Sequence, residues 1–156
     1  MTPPVEPLEP VSLSVEVPVA PDRAFQLFTA EIDRWWPLDT HSVGQERSRG
    51  VGIEPCVGGG IVETIEDGEN AVWGTVVRWE PPHVLAYAWH PAGTPDQSTA
   101  VLVRFTATAE GTRVAVDHVG WERLELPAVT RAAYVSGWPL VIGDYVAYVE
   151  SVLMIG

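Results

Sequence analysis

The chain has 156 residues, enough for one domain with a core and a cavity, and its 21 acidic against 9 basic side chains give a net charge of −12. A field of that sign repels phosphate backbones and anionic lipids, so no nucleic-acid partner is expected. The single cysteine, Cys56, cannot form an intramolecular disulfide, and no segment has the pattern of a signal peptide or a bilayer span, which predicts a cytoplasmic protein without membrane insertion.

The N-terminal sequence divides into a leader and a strand. The first ten residues, MTPPVEPLEP, hold four prolines and two glutamates with little to bury, which predicts a disordered leader at 1–10. Residues 11–17, VSLSVEV, alternate apolar and polar side chains in the manner of a strand with one buried face. We therefore expect a single domain over residues 11–156.

Helical spacing follows this strand and leads to two adjacent tryptophans. The pattern starts at Pro21, and Pro37 predicts the end of the helix directly after Trp35 and Trp36. Because neighbouring helical residues point about 100° apart, the two indoles cannot bury against one surface. We interpret one ring as core and the other as a wall of a pocket mouth, which it shares with Trp138.

The middle of the chain predicts an antiparallel meander. Polar residues 38–50 predict a loop, and the Asp-Gly pair at 67–68 signals a tight hairpin. Short apolar segments between such breaks predict six strands, at residues 51–55, 59–66, 71–80, 84–90, 99–108 and 113–121.

Charged residues mark the outward face of the later strands. Arg78, Arg104, Arg113 and Asp117 are expected to face solvent, and residues an even number of positions away from them share that face. The residues predicted to point inward are Trp73, Thr75, Val77, Trp79, Leu85, Tyr87, Trp89, Val101, Val103, Phe105, Val114, Val116 and His118.

The C-terminal part is helical. A short helical piece is expected at 127–135, and a long helix is expected over 136–155, with Ser136 as N-cap and Pro139 in its first turn. One side of the long helix carries Trp138, Tyr145 and other apolar residues. A strand, a helix, six strands and a long helix predict an α+β protein whose curved sheet wraps the last helix.

The aromatic content of the predicted inner face is high. Seven tryptophans occur in the chain, and most fall on this face or at the helix ends that close over it. Rigid aromatic rings line apolar ligand sites, but they also simply fill cores, and both interpretations stay open. The candidate ligand-binding residues are Trp35, Trp36, Trp73, Tyr87, Trp89, Phe105, His118, Trp138 and Tyr145.

Catalytic and metal-binding patterns are not found in the sequence. His41, His83, His90 and His118 have no metal-ligand spacing, so neither a metal nor another cofactor is expected. Asp117 and His118 are neighbours on a strand, point to opposite faces and cannot form an acid–base pair. His118 is either a polar partner for a ligand or a buried histidine satisfied by neighbouring groups.

Five segments resemble a known family in their order and spacing. EIDRWWP, IEPCVGGGIVE, WGTVVRWEPPHVLAYAWHP, VLVRFTATAEGTRVAVDHVGWERL and GWPLVIGDYVAYVE resemble signatures of the Hsp90 ATPase activator homologue 1-like branch of the START/Bet v 1-like (SRPBCC) superfamily. The resemblance covers about residues 11–152. It implies the helix-grip fold, in which a curved antiparallel sheet and the C-terminal helix enclose an apolar cavity.

Three functions stay open on this basis. The first is binding of a small hydrophobic or aromatic molecule in the cavity between sheet and C-terminal helix. The second is contact with an Hsp90-type chaperone, as the family name suggests. The third is cyclase or hydrolase chemistry in the same cavity, for which His118 with Tyr87 or Tyr145 is the candidate acid–base set. We rank them in that order and expect a monomer or a homodimer.

Overall fold

In the part of the chain that the structure describes, the fold is a single antiparallel sheet with two α-helices. A computed structural model describes residues 8–91 and 93–155. The sheet order is β1-β7-β6-β5-β4-β3-β2, so the first strand pairs with the last, and the predicted α+β architecture is confirmed. In chain order the elements are β1 Val11–Val17, α1 Pro21–Thr29, β2 Ser48–Ile53, β3 Gly60–Ile65, β4 Asn70–Glu80, β5 Val84–Trp89, β6 Thr99–Ala107, β7 Thr112–Val119 and α2 Pro127–Ile155.

The core lies between the sheet and the two helices. Phe28 of α1 contacts Phe105 of β6 and Tyr145 of α2, with ring centroids 5.6 and 5.2 Å apart. The Tyr145 hydroxyl donates to the carbonyl of Ala24 at 2.8 Å and so joins the two helices. Edge-to-face packing of this kind gives a rigid aromatic core.

The first helix is shorter than the sequence pattern predicts. It ends at Thr29, and Glu31 leaves the helical region with φ −113° and ψ 25°. A 3₁₀ turn at Ile32–Arg34 then leads to Trp35 and Trp36. The prediction of one continuous helix up to Pro37 is therefore wrong. The break falls in a stretch without glycine or proline, so the sequence contains no local signal for it.

A β-bulge changes the face on which part of β4 points. The pairing of β4 with β5 shifts register between Val76 and Arg78. Val76 is buried at 1% exposure, whereas Val77, predicted to point inward, is 51% exposed. Val77 is the extra residue, so the alternation counted from Arg78 is correct for Trp79, which packs against Phe25, and wrong for Val76 and Val77. The predicted inward residues of the next three strands are confirmed as buried: Leu85, Tyr87, Trp89, Val101, Val103, Phe105, Val114, Val116 and His118.

The Asp-Gly hairpin forms as predicted. Asp67 and Gly68 have φ angles of 67° and 78°, the left-handed conformation that this pair of residue types favours. β3 and β4 pair antiparallel on either side of this turn.

The C-terminal helix is one element instead of two. α2 runs without interruption from Pro127 to Ile155, so Pro139 lies in its interior and Ser136 is not an N-cap. Proline cannot donate to the carbonyl four residues earlier, that of Val135. Val135 and Pro139 both lie on the exposed side of α2, away from the core, which makes the proline tolerable.

The N-terminal leader is described only in part, because residues 1–7 lie outside the described residues. Leu8–Pro10 are exposed and have no regular structure. Arg131 of α2 donates to the carbonyls of Glu9 and Pro10 at 2.7 and 3.3 Å. Glu9 and Pro10 therefore lie against α2 directly before β1 begins.

Candidate ligand-binding site

A cleft of about 530 Å³ opens between β4, β5, the N-terminal half of α2 and a polar segment at residues 38–47, hereafter the rim segment. The rim segment is irregular up to a 3₁₀ turn at Gln45–Arg47, and β2 begins directly after it, within the predicted loop. The cleft volume lies in the range of small-molecule sites.

Four indoles form the aromatic wall of this cleft. Trp36 is at the centre of the group, with its ring centroid 5.3 Å from Trp73, 5.9 Å from Trp89 and 6.2 Å from Trp138. Trp73 and Trp89 are themselves 5.6 Å apart in a T-shaped arrangement. The rings therefore hold one another in fixed orientations around the cavity.

The two adjacent tryptophans face different surfaces. Trp35 contacts Phe28 and Tyr145 in the core, and its indole N–H donates to the carbonyl of Leu27 at 3.0 Å. Trp36 lines the cleft, and its indole N–H donates to the carbonyl of His41 at 2.7 Å. This bond fixes the rim segment to the aromatic wall.

His118 is buried in a complete hydrogen-bond chain. The indole N–H of Trp138 donates to Nδ1 at 3.0 Å, and Nε2 lies 2.6 Å from the Thr99 hydroxyl. Because an indole N–H can only donate, the neutral ring carries its proton on Nε2 and donates to Thr99, which donates to the carbonyl of Trp89 at 3.3 Å. Burial lowers the pKa of His118 to about 3. Both ring nitrogens are used within the protein, which supports the structural interpretation of this residue.

The structure brings together only part of the predicted site. Trp36, Trp73, Trp89 and Trp138 line the cleft. The other five predicted residues do not line it: Trp35, Phe105 and Tyr145 belong to the core, Tyr87 packs against Trp89, and His118 lies in the chain described above.

Tyr134 lines the cleft but is missing from the predicted site. Its hydroxyl accepts the indole N–H of Trp89 at 2.7 Å, and its ring lies edge-on to His118 at 4.8 Å. Burial raises the pKa of Tyr134 more than the bond from Trp89 lowers it, so the hydroxyl keeps its proton. Tyr134 precedes Trp138 by four residues and shares its helix face. The predicted break before Ser136 places Tyr134 and Trp138 on different helices, so the sequence pattern does not show that they share a face.

His41 also lines the cleft and was not among the predicted site residues. Its Nδ1 lies 2.8 Å from the Thr40 hydroxyl. Across the cleft mouth, a Cβ atom on Gly137 of α2 would stand 3.8 Å from its Nε2. The imidazole therefore spans the gap between the rim segment and α2. No periodic pattern in the loop sequence could have placed it there.

A buried carboxylate supports the cleft from behind. Glu63 has no exposed surface and accepts three N–H groups, from Trp73 Nε1 at 3.0 Å, Val43 at 2.9 Å and Gly44 at 3.1 Å. Burial alone would raise its pKa, but the hydrogen bonds outweigh burial and lower the pKa of Glu63. One side chain thus holds both the Trp73 wall and the rim segment.

The described residues show neither a metal-ligand cluster nor a membrane-spanning helix. Within residues 8–91 and 93–155, no three His, Cys, Asp or Glu side chains are grouped so that they could hold a metal ion. The helices of the same residues do not include one long and apolar enough to cross a bilayer. Cys56 is exposed in the turn between β2 and β3, as a small turn residue would be.

Comparison with known proteins gives a family match and a set of similar folds. The family described as Activator of Hsp90 ATPase homolog 1-like protein matches residues 18–150. MLL2253 from Mesorhizobium loti is 17% identical with a TM-score of 0.67, over 91% of this chain and 97% of its own. It confirms the predicted helix-grip fold. No curated protein matches.

Two further similar structures are of proteins whose descriptions name an enzymatic activity or a biosynthetic locus. Txn09, described as an anthrahydroquino-γ-pyrone synthase, is 33% identical with a TM-score of 0.56, over 75% of this chain and 80% of its own. DynU16, a protein of the dynemicin biosynthetic locus, is 21% identical with a TM-score of 0.68 over 92% of this chain. This chain spans 48% of the DynU16 chain.

Proposed function

The chain belongs to the Activator of Hsp90 ATPase homolog 1-like family, and from that premise we propose that its cleft binds a planar aromatic small molecule. The observation that carries the proposal is the group of four indoles, Trp36, Trp73, Trp89 and Trp138, on the wall of one 530 Å³ cavity. These residues are packed in the core and only 1–8% exposed, so they border the cavity with rigid ring surface that loses little entropy on contact with a flat ligand.

The charge of the site favours a neutral ligand. No Asp, Glu, Lys or Arg is among the described residues that line the cleft. The polar groups at its edge are the side chains of Thr40, His41, Ser42 and Tyr134. Because the whole chain carries a net charge of −12, anionic ligands are also repelled at longer range. An uncharged aromatic compound with a few polar substituents fits these conditions.

Anthraquinone is expected to quench the tryptophan fluorescence of the protein, and Trp36→Phe is expected to weaken its binding by about 1 kcal/mol, roughly fivefold. The shorter ring loses contact area at the centre of the wall and cannot donate to the carbonyl of His41. Fluorescence titration of the folded protein measures the change. Trp35→Phe is the matched control, since it shortens a neighbouring core ring that does not line the cleft. Equal weakening by both variants would contradict a binding role for Trp36.

A cyclase-type enzyme is the second candidate. The 33% identity to Txn09, described as a γ-pyrone synthase, favours it, as do the imidazole of His41 and the hydroxyl of Tyr134 in the cleft. In such a closure a phenol oxygen bonds to a carbonyl carbon of the same molecule. The carbonyl oxygen then leaves as water with the phenolic proton and one hydrogen from the adjacent carbon.

The enzyme hypothesis can be tested with an aromatic phenol that carries a 1,3-diketone side chain. Mass spectrometry would detect the loss of one water. The expected result is faster closure with wild-type protein than in buffer and slower closure with Trp36→Phe. A rate equal to that in buffer would leave binding as the function.

The chaperone hypothesis rests on the family's description alone, and an Hsp90 pull-down with measurement of ATP turnover would test it.

A further inference from the structure

The rim segment presents one imidazole to the cleft in a fixed position. The backbone carbonyl of His41 accepts the indole N–H of Trp36 at 2.7 Å, which holds the residue against the aromatic wall. On the ring, Nδ1 is bonded to the Thr40 hydroxyl at 2.8 Å. This bond engages one ring nitrogen, and the other, Nε2, is the nitrogen that faces α2 across the mouth.

A glycine on α2 leaves the space in front of Nε2 open. A Cβ atom on Gly137 would stand 3.8 Å from Nε2 and from Cδ2 of His41, which is ordinary van der Waals contact. Tyr134 lies one helical turn before Gly137 and lines the same cleft. Its hydroxyl oxygen accepts the Trp89 N–H at 2.7 Å, so its own proton is available to a ligand.

The other histidines do not offer a nitrogen to this cleft. Both nitrogens of His118 are engaged, with Trp138 and with Thr99. His83 and His90 are not among the described residues that line it. His41 and Tyr134 therefore place an imidazole nitrogen and a phenolic hydroxyl near the same turn of α2, and we call this pair the polar edge of the cleft.

We propose that this edge selects aromatic carbonyl compounds that carry a phenolic hydroxyl. His41 Nε2 accepts the hydrogen bond of the phenol, and the Tyr134 hydroxyl donates to the carbonyl oxygen of the ligand. In the proposed complex the Thr40 hydroxyl, 2.8 Å from Nδ1, accepts the Nδ1 proton, which leaves Nε2 as the acceptor. This assignment of ligand class rests on the proposed binding function.

The test compares 2-hydroxyanthraquinone with anthraquinone, two probes that differ in one hydroxyl group. Wild-type protein is expected to bind the hydroxylated probe about fivefold to tenfold more tightly, the effect of one hydrogen bond. His41→Ala should remove this preference, so that the two probes bind with affinities within about twofold of each other. His83→Ala is the control and should retain the preference, since His83 lies outside the cleft lining.

A pair of glycine substitutions tests the same geometry without altering the imidazole. Gly137→Ala places a methyl group beside Nε2, whereas Gly143→Ala places one where no atom lies within 4 Å. Both changes favour the helix to the same extent. Only Gly137→Ala should reduce the preference for the hydroxylated probe, by about threefold or more. This pair decides the question if circular dichroism shows that His41→Ala does not fold.

The outcomes separate the two proposals. If wild-type protein binds neither probe, the proposed binding function is wrong. If it binds both probes equally, or if folded His41→Ala keeps the preference, binding stands and the polar edge is overturned. Retention of the preference by Gly137→Ala to the same degree as by Gly143→Ala would likewise overturn the position assigned to Nε2.

Discussion

Lowering the pH from 7 to 5 is expected to reduce the free energy of unfolding by about 2 kcal/mol through His118. Burial lowers the pKa of this imidazole from 6.5 to about 3. Between these values the unfolded chain binds a proton that the folded protein does not bind. Stability is therefore full above about pH 6.5 and falls as the pH falls towards 3, by about 1.4 kcal/mol per unit.

The hydrogen-bond chain explains why His118 resists protonation. A proton on Nδ1 would face the indole N–H of Trp138, which donates to that nitrogen at 3.0 Å. Two donors would then oppose each other in a site with no exposed surface. Protonation of the folded protein therefore requires that the contact between β7 and α2 opens.

His118→Gln separates this effect from other titrations. The glutamine amide can accept from Trp138 and donate to Thr99, but it does not titrate. Urea denaturation at a series of pH values should show a clearly shallower loss of stability between pH 7 and 5 in this variant. His83→Gln is the control and should follow the wild-type curve. Identical curves for wild type and His118→Gln would show that His118 is not the group responsible.

The inner face of β5, β6 and β7 could be predicted from the sequence because these strands pair continuously. Along their described lengths, β5–β6 and β6–β7 show no register shift. Because side chains alternate strictly between the two faces, the outward positions of Arg104 in β6 and Arg113 in β7 predict the orientation of the other residues in these strands. In β4 the bulge at Val76–Arg78 breaks the same rule, and a charge pattern contains no information about where an extra residue is inserted.

The predicted boundaries of the two helices are wrong for opposite reasons. α1 ends at Thr29 in a sequence without a helix-breaking residue, so apolar spacing alone extended it to Trp36. α2 continues through Pro139, where a stop signal is overridden because the affected turn is exposed to water. In both cases the surroundings of the helix in the fold, and not the local sequence signal, decide where the helix ends.

The aromatic wall of the site was more predictable than its polar edge. Tryptophan content and strand alternation indicated Trp73 and Trp89 correctly as inward-facing residues. His41 lies in an irregular segment, where no period relates sequence to position. Glu63, in contrast, left a signal, since it alternates with the buried residues Ile61 and Ile65 in β3. An acidic residue on a buried strand face predicts a carboxylate that is satisfied by internal donors.

Glu63→Leu is expected to lower the free energy of unfolding by about 3 kcal/mol or more, because it leaves three buried donors without an acceptor. These donors are the N–H groups of Trp73, Val43 and Gly44, each within 3.1 Å of the carboxylate. Urea denaturation at pH 7 measures the loss. Glu66→Leu is the matched control, since Glu66 is partly exposed and makes surface ion pairs with Arg47 and Arg49, which contribute at most about 1 kcal/mol.

Acid gives an independent measure of the same carboxylate. Because the pKa of Glu63 is lower in the folded protein than the ordinary value of 4.5, its stabilising contribution is present above that value and is lost as the pH falls through the folded pKa. Glu63→Gln keeps one acceptor oxygen and does not titrate, so its free energy of unfolding at pH 7 should lie between those of wild type and Glu63→Leu.

Since Glu63 holds both Trp73 and the rim segment, the folded fraction of Glu63→Gln should also bind anthraquinone more weakly. Unchanged stability in Glu63→Leu would contradict the structural role, and unchanged affinity in Glu63→Gln would show that the cleft keeps its shape without the full carboxylate.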